Sequence, residues 1–554
     1  MRQVDPKQLE FGVFATTTIN NKYAQFPTKE DRQTWPEIAR RIAKYVLKAE
    51  GINASKELVD ELTYRITIRQ IIPGGRYLYA AGRDYHQVQN CVLQRPEDSR
   101  EGWSQTMSDA SMALMSGAGI GNEYSDIRPR GSLIKRTGGE ATGPCALMQM
   151  VNEAGRHIMQ GGSRRSAIWA GLGWDHADIF EFIAIKNWSA DVRALKAKDF
   201  NFPAPMDGTN VSVRLDGEFF KAYHNTKHPK HGLAHKVYWT TIKQMLMTGE
   251  PGFSIDTGEN EGETLRNACT EVTSRDDSDI CNLLSINLAR IQTLEDMRAC
   301  VEIGTALLVA GTVYSDVPYN KVALIRDKNR RLGLGIMGVH EWLIRHGKQY
   351  GPDDDLKKYM EIYEESTKYA HFYEDKWGLS RSVKTRAIAP CGTIGIVAET
   401  TTGCEPIFCI AMKRRYLNGR SWEYQYVIEP IASRLIEHEG VKPESIEDAY
   451  SITPQRRVEF QVWLQQFVDH GISSTVNIPA WGSDANNEDK VQQFGQMLML
   501  SLPNLRGITC YPDGARSGQP LNAVSYKTAV KHVGQIFYES TDICDITKGG
   551  TCGS

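Results

Sequence analysis

The stretch at residues 264–288, TLRNACTEVTSRDDSDICNLLSINL, constrains this chain most, because two apolar, β-prone runs flank a polar one. The pattern predicts two strands joined by a turn within residues 274–279. In an extended first strand, side chains alternate between faces, so Asn267, Cys269 and Glu271 are predicted to point the same way. An amide that positions a substrate, a thiol that gives up hydrogen or charge and a carboxyl that moves a proton would then share one face.

The position of the turn determines which residue lies opposite Cys281. A symmetric turn near Asp276 and Asp277 places Cys281 opposite Val272, so no disulfide with Cys269 is expected. The alternative is that both cysteines are small apolar core residues, which is the commoner role of buried cysteine. The residues alone leave both interpretations open.

Length, charge and cysteine content limit the class of protein. A chain of 554 residues predicts three or four domains, or one large barrel with additions. The 65 basic and 67 acidic residues nearly balance, which gives no case for binding nucleic acid or a membrane. The N-terminus MRQVDPKQLE lacks the apolar core of a signal peptide, and the apolar run at 303–314 is too short to span a bilayer. Eleven cysteines in such a chain indicate a reducing, cytoplasmic location. The sequence lacks a CxxC pair with a second CxxC or an HxxxH, so no structural zinc site is expected.

Apolar periodicity gives a coarse secondary structure. Residues 1–72 are predicted to be helical, since TWPEIARRIAKYVLKAE and KELVDELTYRITIRQII carry apolar residues at helical spacing. After Pro73-Gly74-Gly75, the segment RYLYAAGRDYHQVQNCVL places Cys91 at the end of a predicted apolar, β-prone run. Further helices are predicted at 103–122, 296–315 and 320–346, and strands with turns around 207–220 and 248–260.

Two glycine-rich segments have the composition of anion-binding loops. The first, SGAGIGN, precedes the long predicted loop NEYSDIRPRGSLIKRTGGEATGP, but neither contains a GxxxxGK[ST] P-loop. The second, QGGSRR, places Arg164 and Arg165 on a turn, where forked guanidinium donors suit a phosphate or a base. The residues alone favour a solvated basic loop instead.

A third segment, RAIAPCGTIGIVAETTTGCEPIF at 386–408, predicts a strand, a turn after Pro390 and the start of a helix. Consecutive backbone N–H groups and the Thr393 hydroxyl would bind an anion there without a lysine. Metal binding is the rival interpretation, because Cys391, Cys404 and Cys409 are close in sequence. Their apolar surroundings and the absence of CxxC or histidine partners disfavour it.

Together these segments resemble ribonucleotide reductase large subunits. Asn-x-Cys-x-Glu followed by DICNLLSINLARI is similar to the active-site segment of that family, APCGTI to its phosphate turn, and the order GxG, RPxGS, GGE and QGGxRR to its effector-reading loops. The resemblance covers roughly 70–530. It implies an α/β fold in which a ten-stranded α/β barrel, built from two antiparallel five-stranded half-barrels, surrounds a central finger loop that carries Cys269. The implied organisation is an N-terminal helical region at 1–72, the catalytic barrel at 73–530 and a flexible C-terminal redox tail at 531–554.

The same resemblance assigns roles to individual residues. The catalytic set is Cys269, Asn267, Glu271 and the substrate-reducing pair Cys91 and Cys281. The substrate phosphates are expected at Cys391, Gly392, Thr393 and Ile394. The effector-specificity loops are expected at 117–137 and 160–168, with Glu101, Arg128, Gly161, Gly162, Arg164 and Arg165. A tail dithiol is expected at Cys544 and Cys552.

The C-terminal part indicates the subclass. Members that depend on a separate radical-generating subunit carry a Tyr-Tyr pair where this chain has Cys510 and a single Tyr511. The run YPDGARSGQPL resembles the adenosylcobalamin-dependent class, whose cobalt is carried by the cofactor and not by protein ligands. No glycyl-radical site, ATP-cone or DxHxxG cobalamin motif is recognisable. The alternatives are a large subunit that needs a radical-generating partner, and a non-catalytic nucleotide-binding relative.

The mechanism implied by the resemblance begins with a thiyl radical at Cys269, which abstracts the ribose 3′ hydrogen. Glu271 is the general base for the 3′-hydroxyl, Asn267 hydrogen-bonds the ribose, and Cys91 and Cys281 end as a disulfide. Burial is expected to raise the pKa of Glu271. The implied partners are a ribonucleotide substrate, dNTP or ATP effectors, a thioredoxin- or glutaredoxin-like reductant and a second copy in a homodimer. The sequence leaves open whether diphosphates or triphosphates are reduced.

Overall fold

The computed structural model describes residues 4–25, 32–160, 164–199, 202–418, 421–515 and 521–538. Helices and strands alternate through most of this part of the chain. The α-helices are α1 Val13–Thr18, α2 Trp35–Val46, α3 Lys56–Thr67, α4 Gly75–Ala80, α5 Arg100–Ser116, α6 Pro144–His157, α7 Ile179–Ala184, α8 Ala190–Lys198, α9 Gly217–His224, α10 His231–Thr248, α11 Leu294–Tyr314, α12 Asn320–Asn329, α13 Val339–Arg345, α14 Asp354–Glu364, α15 Ser366–Trp377, α16 Gly392–Ala398, α17 Pro430–Glu439, α18 Pro454–Gln465, α19 Val491–Ser501 and α20 Tyr526–His532.

The strands belong to one large mixed sheet and several small ones. They are β1 Ile71–Pro73, β2 Cys91–Gln94, β3 Gly119–Glu123, β4 Leu133–Ile134, β5 Gly139–Glu140, β6 Met159–Gln160, β7 Arg164–Arg165, β8 Ile168–Gly173, β9 Thr209–Asp216, β10 Gly252–Asp256, β11 Leu265–Arg266, β12 Thr273–Ser274, β13 Asp279–Asn287, β14 Leu332–Met337, β15 Ala411–Asn418, β16 Ser421–Ile428, β17 Thr475–Ile478, β18 Gly507–Pro512, β19 Leu521–Ala523 and β20 Ile536–Tyr538.

The large sheet contains a group of five parallel strands, and on each side of it a parallel pair that runs in the opposite direction. Strands β2, β3, β8, β9 and β10 are parallel neighbours in that order, with helices in the connections between them. β13 and β14 are parallel to each other, as are β17 and β18. The groups join where β13 pairs antiparallel with β2 and where β10 pairs antiparallel with β18. Every residue of β8, β13 and β14 is buried, as expected for parallel strands covered on both faces.

The helices cover the sheet with two large apolar cores. One core lies between the N-terminal helices, α11 and strands β13 and β14, and the other between α7, α9, α10, α19 and strands β8–β10. Helix α11 is the one helix of the described residues that is long and apolar enough to cross a membrane, yet 72% of its apolar window is buried inside the protein. It is therefore a core helix, which begins at a Thr293 cap whose hydroxyl accepts the Asp296 N–H at 3.1 Å.

Several predicted elements are confirmed, and others need correction. The helices within 1–72 and the strands near 207–220 and 248–260 are present as α2, α3, β9 and β10. The prediction of a continuous helix at 320–346 is wrong, because the chain leaves α12, forms the buried strand β14 and only then enters α13. A short strand that is buried on both faces shows no alternation of apolar and polar residues, so its sequence cannot be distinguished from that of a buried helix.

Three further boundaries differ from the predictions. Cys91 begins strand β2, and the apolar run before it forms helix α4 and an irregular segment. The helix predicted at 103–122 ends at Ser116 as α5, and Gly119–Glu123, which spans the predicted end of that helix and the start of the predicted loop, is strand β3. At the C-terminus β20 pairs with β16, so regular structure continues past residue 530, whereas Cys544 and Cys552 lie outside the described residues.

Candidate active site

The finger loop, residues 267–272, is the centre of the site and is not the predicted strand. Leu265 pairs with Ser274 and Arg266 with Thr273, so the chain reverses direction between these two short strands. Cys269 lies near the tip of this reversal. The prediction that Cys281 belongs to the same hairpin is wrong, because β13 pairs with β2 instead.

Hydrogen bonds within the loop bring Asn267 and Glu271 together in a tight turn, and not on one face of an extended strand as predicted. The Thr270 N–H donates to the Asn267 carbonyl at 3.0 Å, and the Asn267 N–H to the Val272 carbonyl at 3.3 Å. Thr270 has φ of 69°, in the left-handed region that a β-branched residue rarely adopts. The side chain of Asn267 accepts the Val272 N–H at 3.0 Å and donates to Oε1 of Glu271 at 2.8 Å.

Glycines on the neighbouring strand allow the loop to approach closely. A Cβ at Gly121 would lie 1.9 Å from the Arg266 carbonyl oxygen. A Cβ at Gly119 would lie 3.1 Å from Sγ of Cys91 and 3.2 Å from Cβ of Ala268. The GxG pattern therefore serves here as a surface on which the finger loop packs, as expected where one backbone approaches another.

Glu271 is buried, and one of its carboxylate oxygens lacks a hydrogen-bond partner among the described residues. The residue is 1% exposed, and its Oε2 has no hydrogen-bond partner among the described residues. Burial raises the pKa of Glu271 from 4.5 to about 7, against the opposing effect of its own backbone N–H and the Asn267 amide. A carboxyl with this pKa can both accept and return a proton near neutrality.

The two predicted redox cysteines face each other across neighbouring strands. Cys91 of β2 is the register partner of Cys281 of β13. Directly opposed antiparallel residues have Cβ atoms ~4.5–5.5 Å apart, close to the ~3.5–4.5 Å that a disulfide spans. Burial, together with the Glu271 charge, raises the pKa of Cys91 to about 12. Burial and the neighbouring Cys91 raise the pKa of Cys281 well above its usual range, so both are protonated thiols.

Cys269 is half-buried and lines a cavity of about 280 Å³ on one side of the finger loop. The strand ends around this cavity contribute mostly uncharged polar groups. The lining includes Asn210, Ser212, Glu250, Thr270, Ser473, Thr509 and Tyr511.

A second cavity of about 280 Å³ surrounds the predicted phosphate turn and shares Pro390 with the first. Gly392, Thr393 and Ile394 line it, where the chain enters α16. Cys391 contributes backbone to this wall, because its thiol is buried 3.3 Å from the Ser285 hydroxyl and donates to the Ala389 carbonyl at 3.2 Å. The described residues contain no cluster of His, Cys, Asp and Glu arranged to hold a metal ion.

The predicted effector residues lie on segments outside the finger loop. Arg164 and Arg165 form β7, which pairs with β6, and Gly161 and Gly162 lie outside the described residues. Nε of Arg128 donates to Asp98 at 2.7 Å, and Glu101 pairs with Arg100 on the exposed first turn of α5.

A buried ionic network below the finger loop was missed by the sequence interpretation. Thr273 donates its hydroxyl to Oε2 of Glu263 at 2.5 Å, and Glu263 pairs with Arg331, at 3.2 Å, and with Lys384. Burial opposes ionisation of Glu263, but these two cations lower its pKa to about 2. These side chains come from three distant segments, so no local motif signals the network.

Comparison with known proteins identifies the family. The family description "Ribonucleotide reductase, barrel domain" matches residues 89–373 and 375–504. The vitamin B12-dependent ribonucleoside-diphosphate reductase of Thermoplasma acidophilum is 26% identical over 541 residues, which cover 86% of this chain and 67% of that protein. The Mycobacterium tuberculosis protein of the same name is 25% identical, with 94% and 82% covered. The ribonucleoside-diphosphate reductase large chain of Cryptosporidium parvum is 26% identical, with 52% and 41% covered. A family match over most of the chain, on a mixed α/β structure that joins Asn267 to Glu271 and pairs Cys91 with Cys281, shows that the chain belongs to the ribonucleotide reductase family.

Proposed function

We propose that this chain is an adenosylcobalamin-dependent ribonucleotide reductase that converts ribonucleotides to 2′-deoxyribonucleotides through a thiyl radical at Cys269. The observation that carries the proposal is the finger loop, on which Cys269 lies between Asn267 and Glu271, with the loop packed beside Cys91. A thiol that exchanges a hydrogen atom with the substrate, a proton acceptor and a dithiol reductant are the three groups that the proposed radical reduction uses.

The cavity beside Cys269 is proposed to hold the nucleoside part of adenosylcobalamin. Its walls offer uncharged donors and acceptors such as Asn210, Ser212 and Thr509, which suit a ribose and a base better than a charged group. The chemistry that the cofactor supplies when bound is homolysis of its cobalt–carbon bond, the radical source that starts turnover. The B12-dependent names of two relatives support this assignment.

Each residue of the loop then has a defined task. Cys269, as a thiyl, abstracts the 3′ hydrogen of the ribose and returns it at the end of the reduction, which regenerates the thiyl. Glu271 takes the 3′-hydroxyl proton on its unpartnered Oε2, while Asn267 fixes the carboxylate and hydrogen-bonds the ribose. The 2′-hydroxyl leaves as water with a proton from the Cys91 and Cys281 pair, whose sulfurs are oxidised to a disulfide as the substrate carbon is reduced.

The turn at residues 391–394 is proposed to hold the substrate phosphates. The support is the cavity lined by Gly392, Thr393 and Ile394, which adjoins the Cys269 cavity at Pro390. Backbone N–H groups and the Thr393 hydroxyl are donors suited to phosphate oxygens. A nucleotide anchored there would extend its ribose towards the finger loop.

We further propose that the large sheet closes into a ten-stranded barrel of two five-stranded halves. Single parallel bridges join Leu334 to Arg386 and Ile388 to Ile472, which support a path from β14 through 386–388 to the segment that continues into β17. This path would make 386–388 and 472–478 strands of the second half-barrel. The catalytic region is then 73–530, after a helical region at 1–72 that packs on the core of β13 and β14.

The remaining assignments rest on the family resemblance. We assign dNTP or ATP effectors to the loops around Arg128, Arg164 and Arg165, and a tail dithiol at 544 and 552 that is recharged by a thioredoxin- or glutaredoxin-like protein in the cytoplasm. A homodimer is proposed through the faces of α5 and α6, where Met112, Met115 and Met150 are exposed.

Substitution of the radical cysteine tests the proposal. Cys269→Ala is expected to abolish deoxynucleotide formation while equilibrium binding of a ribonucleotide stays within about twofold. Cys300→Ala, which removes a buried thiol in the helical core, is the control and should retain turnover. Reduction by the Cys269→Ala chain would refute the thiyl assignment.

A further inference from the structure

Residues 470 and 471 contact the base of the finger loop at two points. The Thr273 N–H donates to Nδ1 of His470 at 3.2 Å, and the Gly471 N–H donates to the Glu271 carbonyl at 2.7 Å. A Cβ at Gly471 would lie 3.2 Å from the carbonyl oxygens of both Thr270 and Glu271. The two residues therefore contact the loop on the side that leads back into β12.

The imidazole of His470 can act only as an acceptor at Nδ1. A backbone N–H donates and never accepts, so Nδ1 carries no proton and the ring hydrogen is on Nε2. His470 is fully buried, and Lys384, Arg331, Arg266 and Arg386 are the charged groups that oppose its protonation. Burial and these cations lower the pKa of His470 well below its usual range, so the ring stays neutral.

The contact with Thr273 is one residue away from the hydrogen bonds that shape the site. Val272 donates its N–H to the Asn267 side chain and accepts the Asn267 N–H through its carbonyl. The same Asn267 side chain holds Oε1 of Glu271. Any displacement of Thr273 is therefore transmitted through Val272 to the amide and the carboxylate.

We infer that His470 is a positioning residue, whose Nδ1 fixes the base of the finger loop at Thr273 and thereby the relative placement of Asn267, Cys269 and Glu271. This inference rests on the proposed function for its catalytic consequence. Its structural part, the placement of the loop, can be measured without turnover.

The experiment compares two substitutions in the full-length chain with adenosylcobalamin and a dithiol. His470→Asn places an amide oxygen close to the position of Nδ1 and keeps the acceptor, whereas His470→Leu has a similar size without one. We expect His470→Leu to lower kcat at least ~10-fold with KM within about twofold, because misplacement on the order of 1 Å costs that much or more. His470→Asn should stay within about threefold of the unmodified chain.

A second readout follows the loop itself. The rate of Cys269 alkylation by iodoacetamide is measured by peptide mass spectrometry in the absence of substrate and cofactor. This rate should change at least ~3-fold in His470→Leu, since thiol reactivity follows exposure and environment. In His470→Asn it should remain near the rate of the unmodified chain. If His470→Leu does not fold, His470→Ala replaces it, because alanine adds no bulk.

The outcomes separate the two claims. Equal kcat and equal Cys269 alkylation in the folded Leu or Ala variant and the unmodified chain would overturn the inference, as would equal losses in the Leu and Asn variants. If the unmodified chain makes no deoxynucleotide at all, the proposed function fails, and the alkylation comparison still supports or overturns the role of His470 in placing the loop.

Discussion

Replacement of Glu271 by glutamine is the most informative perturbation, because it changes stability and activity in opposite directions. Glutamine keeps an oxygen that accepts the Asn267 amide hydrogen and places an NH₂ where Oε2 has no partner among the described residues. The substitution therefore removes the charge with little change in shape. Proton transfer from the 3′-hydroxyl is lost, so turnover should fall by ~10²–10⁴-fold.

The magnitude of the stability change follows from the pKa of Glu271. In the folded chain it is raised from 4.5 to about 7, so the folded state binds the proton more tightly than the unfolded state. The stabilisation from that proton is complete below about pH 4.5 and is lost as the pH rises to about 7. Since one pKa unit corresponds to ~1.4 kcal/mol, the cost of the ionised carboxylate above pH 7 is about 3 kcal/mol.

The assay is urea unfolding of both chains between pH 4.5 and pH 8.5. The free energy of unfolding of Glu271→Gln relative to the unmodified chain should increase by about 3 kcal/mol across this range, and most of the increase should occur between pH 5 and pH 7. Glu374→Gln is the matched control, because Glu374 is also fully buried but is held by Ser382, away from the finger loop. That variant should retain turnover. A stability difference between Glu271→Gln and the unmodified chain that does not depend on pH would refute the account of Glu271.

Three other substitutions test the remaining parts of the site. Cys281→Ser should abolish multiple turnover, because no disulfide can form with Cys91. The measurement is the amount of deoxynucleotide formed per enzyme in the presence of a dithiol, and an amount comparable to that of the unmodified chain would contradict the pairing. Gly121→Ala should destabilise the chain by about 1–3 kcal/mol in urea unfolding, because its Cβ would lie 1.9 Å from the Arg266 carbonyl oxygen. Gly217→Ala, with no atom within 4 Å of its Cβ, is the control, and equal stabilities of the two variants would refute the packing. Thr393→Val should raise KM about 10-fold with kcat little changed, through loss of one hydrogen bond to a charged phosphate; an unchanged KM would remove Thr393 from the phosphate site.

The candidate residues of the site were predictable from the sequence and the family resemblance, but their local backbone was not. Asn267, Cys269 and Glu271 are close in sequence, so their spacing marks them as candidates, and the family resemblance gives them their expected roles. The prediction that they lie on one face of an extended strand was wrong, because the loop turns through a left-handed Thr270. No glycine or asparagine at that position signals the reversal.

Elements of the fold were predictable only where the sequence carries a local periodic pattern. Helices α2 and α3 carry a clear 3.6-residue period and were confirmed, whereas β14, in the run NRRLGLGIMG, is a short, fully buried strand without alternation. The role of Gly121 and the network around Glu263 depend on contacts between segments far apart in the chain. Such contacts leave no local pattern. The register of Cys91 with Cys281 was expected only from the family resemblance.

The central claim is that this chain reduces ribonucleotides with adenosylcobalamin and needs no second protein. The most direct test is anaerobic incubation of the purified chain with CDP or CTP, adenosylcobalamin and a dithiol, followed by quantification of the deoxynucleotide. We predict deoxynucleotide formation with the cofactor and none without it, and the preferred substrate identifies the diphosphate or triphosphate. A folded chain that binds nucleotide but forms no product under these conditions would contradict the account.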